Sequence, residues 1–223
     1  MNMAVFCERL GLLMLLAPGT GSSAVAEALL QQAGGRWLPE QDVMNEDGTL
    51  RIDHKHTTVP NLLTAGLFSE QDLSKLTVVT AVRNPFDYWV AEWHRSRAWA
   101  IVAKADPNHW SRKTPGRFWA LTRAADLDFN EWILTWTLPE QKPKYHIHWA
   151  WLEGANKFIR FERLEPDLSA VLADCGHEGG LSIPRVNIGP RRNNDYRVYY
   201  SREARERVED KNEPDLARFG YGF

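Results

Sequence analysis

The order of predicted elements gives an α/β fold in a single domain, 1–223, with a central, mostly parallel sheet flanked by helices. Three observations carry that expectation. Leu12–Leu16 is a short apolar run that enters a turn of small and polar residues, Pro18-Gly19-Thr20-Gly21-Ser22-Ser23. A helix-forming stretch follows, Ala24–Ala33, stopped by Gly34-Gly35. Strand, small-residue turn and helix in that order make the first unit of a doubly wound sheet. Thr77–Val82 (TVVTAV) is β-branched and apolar, as a strand buried on both faces requires.

The remaining elements follow from periodicity. Pro85 ends the pairing of Thr77–Val82 and suits a first helical turn. Phe86, Trp89, Val90 and Trp93 fall at helical spacings, which predicts a helix over 86–99. Short helical pieces are expected at 59–63 and 69–73, and a helix at 129–136. A third strand is expected at Lys157–Phe161, a helix over 166–175 stopped by Gly176, and a charged helix over 201–212. Residues 37–53, 107–116 and 182–194 read as irregular. No internal repeat or linker divides the chain.

Composition narrows the function. The 223 residues are 43% hydrophobic and 25% charged, which predicts an ordinary core. A net charge of −2 argues against a general nucleic-acid binder. Charge is uneven, however. Between Ala91 and Arg123 stand five arginines (95, 97, 112, 117, 123), Lys104 and Lys113, against Glu92 and Asp106. Such a segment is either a solvated face or a surface for an anionic ligand. Cys7 and Cys175, far apart, make neither a disulfide framework nor a zinc site, and a reducing, cytoplasmic setting is the expectation. Leu10–Ala17 with Ala24-Val25-Ala26 has features of a cleaved signal. Glu8 beside Arg9 and the shortness of the run favour a buried strand, and no membrane span is expected. Trp89, Trp93, Trp99, Trp110 and Trp119 surround the basic region, most of them expected to be partly buried.

Two constellations carry chemistry. A glycine turn before a helix N-terminus exposes backbone N–H groups that, with the helix dipole, bind phosphate. Thr20, Ser22 and Ser23 add hydroxyls. The turn is no Walker loop, because GxxxxGK[ST] needs a lysine, which argues against an ordinary kinase. The second constellation is Val82-Arg83-Asn84-Pro85-Phe86-Asp87. An arginine at the carboxyl end of a buried parallel strand reaches the ligand crevice of an open α/β sheet and can clamp a second phosphate. A structural pair with Asp87, four residues on, is the alternative.

Taken with FIRFERLEPDLSAVLADCG and the tail VNIGPRRNNDYRVYYSREAR…DLARFGYGF, the segments PGTGSSA and VVTAVRNPFDYWVAEW stand in the order seen in one family. From about residue 12 to its end, the chain resembles the sulfotransferases that use 3′-phosphoadenosine-5′-phosphosulfate (PAPS), which have a P-loop-NTPase-like fold. The resemblance implies that Gly19, Thr20, Gly21, Ser22 and Ser23 hold the 5′-phosphosulfate and that Arg83 binds the 3′-phosphate. Arg191 and Arg192 would close over the nucleotide. The product would be 3′-phosphoadenosine-5′-phosphate and the acceptor a hydroxyl or amine of a small molecule or saccharide. No metal is implied. The chain departs from the family where the loop lysine falls at Gly19, the helix serine at Ala91, and a frequent arginine at Tyr88. Loss of the lysine leaves open a catalytically impaired nucleotide-binding or scaffold protein.

Transfer to a hydroxyl also needs a base near neutral pKa. His56, then His54, are the candidates, since relatives place a histidine in such a region. Lys55 is the candidate substitute cation. His54/His56 and His146/His148 are H-x-H pairs with no evident third metal ligand.

Overall fold

The computed structural model describes residues 4–45, 47, 50–52, 57–113, 116–186 and 195–223. In chain order the elements are β1 (Ala4–Cys7), β2 (Leu12–Leu15), α1 (Ser22–Gln32), β3 (Arg36–Leu38), β4 (Val43–Met44), β5 (Leu50–Ile52), α2 (Val59–Thr64), α3 (Glu70–Leu73) and β6 (Thr77–Val82). There follow α4 (Pro85–Ala105), α5 (Arg117–Asp126), α6 (Phe129–Glu131), α7 (Trp149–Leu152), β7 (Lys157–Arg160), α8 (Leu164–Asp174), α9 (Arg202–Lys211) and α10 (Glu213–Phe219). These elements gather into two compact units, Met1–Arg83 with His148–Asn187, and Asn84–Ile147 with Ile188–Phe223.

The first unit is the α/β one. Its sheet has the order β3-β1-β2-β6-β7. β2, β6 and β7 are parallel, and β1 runs antiparallel to both β2 and β3. Four of the five strands therefore point one way, with β1 alone opposed. Side chains alternate across the sheet. Val5, Cys7, Leu12, Met14, Val79, Ala81 and Ile159 share a core with α1 and α8. Ala4, Phe6, Leu13, Leu15 and Val78 share another with α2 and α3. Both faces are thus covered by helices, which is why Leu12–Leu15 reads as a continuous apolar run. Burial pushes the Cys7 thiol up to about 11, with the nearby Cys175 adding to the effect.

β1 and β3 were not evident in the sequence. Each is short, and neither shows alternation long enough to register. The segment expected to be irregular over 37–53 contains part of β3 and the antiparallel pair β4–β5. The apolar run weighed as a cleaved signal forms β2, paired on both sides.

The second unit is helical and aromatic. Phe86, Trp89, Val90, Phe129, Trp132, Ile133, Ala204 and Val208 form its core. Trp89 Nε1 donates to Asn212 Oδ1 at 2.8 Å, and the Tyr200 hydroxyl donates to the Phe86 carbonyl at 2.9 Å. Desolvation raises the Tyr200 phenol well above its ordinary range, so it stays a donor. α4 runs six residues past the expected end. The helix expected over 129–136 is one short turn, α6, continued by a π-helical turn over Trp132–Thr137. α5 and α10 were not anticipated. No helix among the described residues is long and apolar enough to cross a membrane.

Candidate functional site

Topology puts the two phosphate-binding candidates at one edge. β2 leads through α1 to β3 on one side of the sheet, whereas β6 leads on to β7 at the other. The parallel neighbours β2 and β6 therefore flank a switch point, where the loops leaving their carboxyl ends diverge and open a crevice. The β2 loop, Leu16–Gly21, and Arg83 both follow those ends.

The turn is built by its glycines. Gly19 and Gly21 have φ of 76° and 73°, left-handed values that a side chain resists. A Cβ on Gly21 would lie 2.6 Å from Leu164 Cδ1 and 3.3 Å from Phe161 Cδ2. A side chain at 21 would have to hold a left-handed φ and displace the end of Leu164, so the position favours glycine.

Three side chains hold the outer carbonyls of this turn. Thr20 Oγ1 donates to the Ala17 carbonyl at 2.8 Å. His148 Nε2 donates to the Pro18 carbonyl at 2.8 Å, which fixes a proton on that nitrogen. Arg83 Nη1 donates to the Gly19 carbonyl at 2.8 Å. With carbonyls 17, 18 and 19 engaged in succession, the peptide planes of the turn are set. Among the described residues, the N–H groups of Gly19, Thr20, Gly21 and Ser22 make no close, well-aligned hydrogen bond. They lie at the N-terminus of the eleven-residue α1. A run of N–H donors at a helix start is the donor set a phosphate group requires.

Arg83 is nine-tenths buried, at 9% exposure, and its guanidinium lies 3.9 Å from the centre of the Phe161 ring. Ring and carbonyl together leave it little rotational freedom, so it acts as a fixed charge beside Gly19. Phe161 directly follows β7, whose Arg160 pairs in register with Val82. The structure thus brings Gly19, Thr20, Gly21, Ser22, Ser23 and Arg83 together. Thr20 directs its hydroxyl proton into the turn itself, which makes it a brace.

His54, Lys55, His56, Arg191 and Arg192 lie outside the described residues. The expectation that most of Trp89, Trp93, Trp99, Trp110 and Trp119 are partly buried fails for three of them. Trp99, Trp110 and Trp119 are exposed, because the second half of α4, the turn Trp110–Lys113 and the start of α5 carry aromatic residues outward. The second H-x-H pair is split between two structural roles. His146 Nδ1 meets Asp215 Oδ1 at 2.7 Å, and Asp215 Oδ2 accepts the Ile147 N–H at 2.7 Å. No group of three or more potential metal ligands forms among the described residues.

Sequence reasoning named His148 only as half of an H-x-H pair, and missed both its role at the turn and that of Phe161. Their partners lie 130 residues away for His148 and 78 away for Phe161 (Arg83). The pairing of β6 with β7 sets Arg83 beside Phe161. No family model, no curated protein and no solved structure matches this chain.

Proposed function

We propose that this protein binds an adenosine 3′,5′-bisphosphate nucleotide and acts as a PAPS-dependent sulfotransferase. The observation that carries the reading is the bond between Arg83 Nη1 and the Gly19 carbonyl, 2.8 Å, at the switch point of the sheet. It sets a buried cation against a turn whose N–H groups make no close, well-aligned hydrogen bond among the described residues. The motif order in the sequence supplies the identity of the anion.

On this reading the N–H groups of Gly19–Ser22 hold the 5′-phosphosulfate and Arg83 the 3′-phosphate. Transfer forms a bond from the acceptor oxygen to sulfur and breaks the bond from sulfur to the bridging oxygen. The products are the sulfated acceptor, the bisphosphate and a proton. His56, or His54, is the proposed proton acceptor, and the acceptor substrate a small molecule or saccharide hydroxyl or amine. Charge builds on the bridging oxygen as the bond breaks, where the family uses a lysine. Here that position is Gly19, with φ of 76°. Lys55 is the proposed replacement. One lost stabiliser of this kind costs on the order of 10²- to 10³-fold in rate.

Gly19 also favours a second reading, a nucleotide-binding protein without turnover. Titration calorimetry with adenosine 3′,5′-bisphosphate, beside transfer from radiolabelled PAPS to a hydroxyl-compound panel, separates the two. Binding with transfer is expected. Binding without transfer leaves the second reading. Neither binding nor transfer overturns both.

A further inference from the structure

The second half of α4 presents an apolar stripe to solvent. Ala98, Ile101, Val102 and Ala105 are spaced i, i+3, i+4, i+7, the pattern by which a helix packs on a partner. Here the pattern faces outward. Ile101 is 70% exposed, Val102 51% and Trp99 43%, whereas Ser96, Ala100 and Ala103 take the inner face. At about 100° per residue the stripe from Ile101 to Trp99 spans about 160° of the helix. Arg97 and Lys104 line one border.

The surface continues past the end of the helix. Arg112 ties the next turn, Trp110–Lys113, onto α4 through the Ala103 and Asp106 carbonyls. That turn sets the exposed Trp110 edge-on to Trp99, 6.0 Å between ring centres, with the Arg117 guanidinium 5.5 Å from the Trp110 ring. Between residues 95 and 117 there are six cations, Arg95, Arg97, Lys104, Arg112, Lys113 and Arg117, against Asp106 alone. Glu92 pairs with Arg95 and Asp126 with Lys104, so an excess of three remains.

We infer that this face docks on an anionic membrane surface, lying in the headgroup layer without spanning it. Exposed aliphatic side chains bordered by Lys and Arg are what an interfacial helix needs, and indoles prefer that layer. Each cation near an anionic bilayer adds to the attraction. A second copy of the chain is the poorer occupant. Antiparallel packing about Ile101 and Val102 sets Arg97 of one copy against Lys104 of the other, like charge on like. The inference is independent of the nucleotide site.

Co-sedimentation of the full chain with vesicles tests it. Phosphatidylcholine vesicles containing phosphatidylglycerol should bind the protein about tenfold or more tightly than phosphatidylcholine alone, with binding falling as salt rises. Paired Ile101→Asp and Val102→Asp should lower binding about tenfold. Paired Arg97→Glu and Lys104→Glu should lower it severalfold by a route that leaves the apolar stripe intact. Circular dichroism checks that each variant is folded. No preference for anionic vesicles overturns the inference, as does binding unchanged in both variants. A dimer by light scattering that the Ile101→Asp, Val102→Asp variant dissolves overturns it in favour of a second copy. Capture by an acidic protein with no vesicle binding overturns it in favour of a protein partner.

Discussion

The turn after β2 and the second half of α4 leave opposite kinds of group without a partner. At the turn, successive backbone N–H groups make no close, well-aligned hydrogen bond among the described residues, while the surrounding side chains Thr20 and Arg83 are buried and bonded. Along α4 the backbone is fully helical, and it is aliphatic and indole side chains that go uncovered. A folded chain ordinarily pairs its buried polar groups and hides most of its large apolar ones. Where it fails to do the first in a crevice, an anion is the natural complement. Where it fails to do the second on a cationic surface, an anionic interface is.

The comparison predicts that the turn is intolerant of change and the stripe tolerant. The largest effect is expected at Gly21→Val. A left-handed φ and a Cβ 2.6 Å from Leu164 Cδ1 should together cost about 3 kcal/mol, read as a lower urea midpoint. A loss under about 1 kcal/mol would mean that the turn has room to spare and breaks the contrast. The ordinary core at the opposite edge of the sheet, where Cys7 pairs with Leu12 at the start of β2, is a useful reference. With its thiol at about 11 in place of 9.0, Cys7 should form about a hundredfold less thiolate than an ordinary cysteine at about pH 8. Its labelling by a disulfide reagent should be slow until denaturant is added. The sign is that of an acid raised by burial. Cys7 stability is intact below about pH 9 and is lost as pH rises toward 11.

Arg83→Met should weaken bisphosphate binding by about 30-fold in calorimetry, since it removes a charge-assisted donor. Unchanged affinity would detach the buried cation from the anion site. His148→Phe should weaken binding only a few-fold by leaving the Pro18 carbonyl without its donor. It should also lower stability by about 1 kcal/mol, and His148→Gln, which keeps a donor, should restore both. The smallest effect is expected on α4. Val102→Asp should change the unfolding free energy, read from urea denaturation, by less than about 0.5 kcal/mol, because the side chain is half exposed. A cost of several kcal/mol would mean that the stripe is covered in solution by more of the protein.

How much of this was legible depended on the range of the interaction. The β2–turn–α1 unit and β6 were readable because apolar runs, small turn residues and a stop signal are local. The α5 helix was not, because a mixed aromatic and basic stretch has no clean period. β1 was not, because four residues gain strand identity only by pairing with β2 and β3. The π-helical turn over Trp132–Thr137 has no sequence signature to read.

By itself the sequence determined that a glycine turn would follow one buried strand and an arginine another, since both depend on neighbours within a few residues. Tertiary structure decided that Arg83 would lie on Phe161 and reach the Gly19 carbonyl, and that His148 would hold Pro18. Those contacts join segments 64 to 130 residues apart. The Arg83 contacts arise because strand pairing brings the carboxyl ends of β2, β6 and β7 to one edge, and no local pattern encodes that meeting.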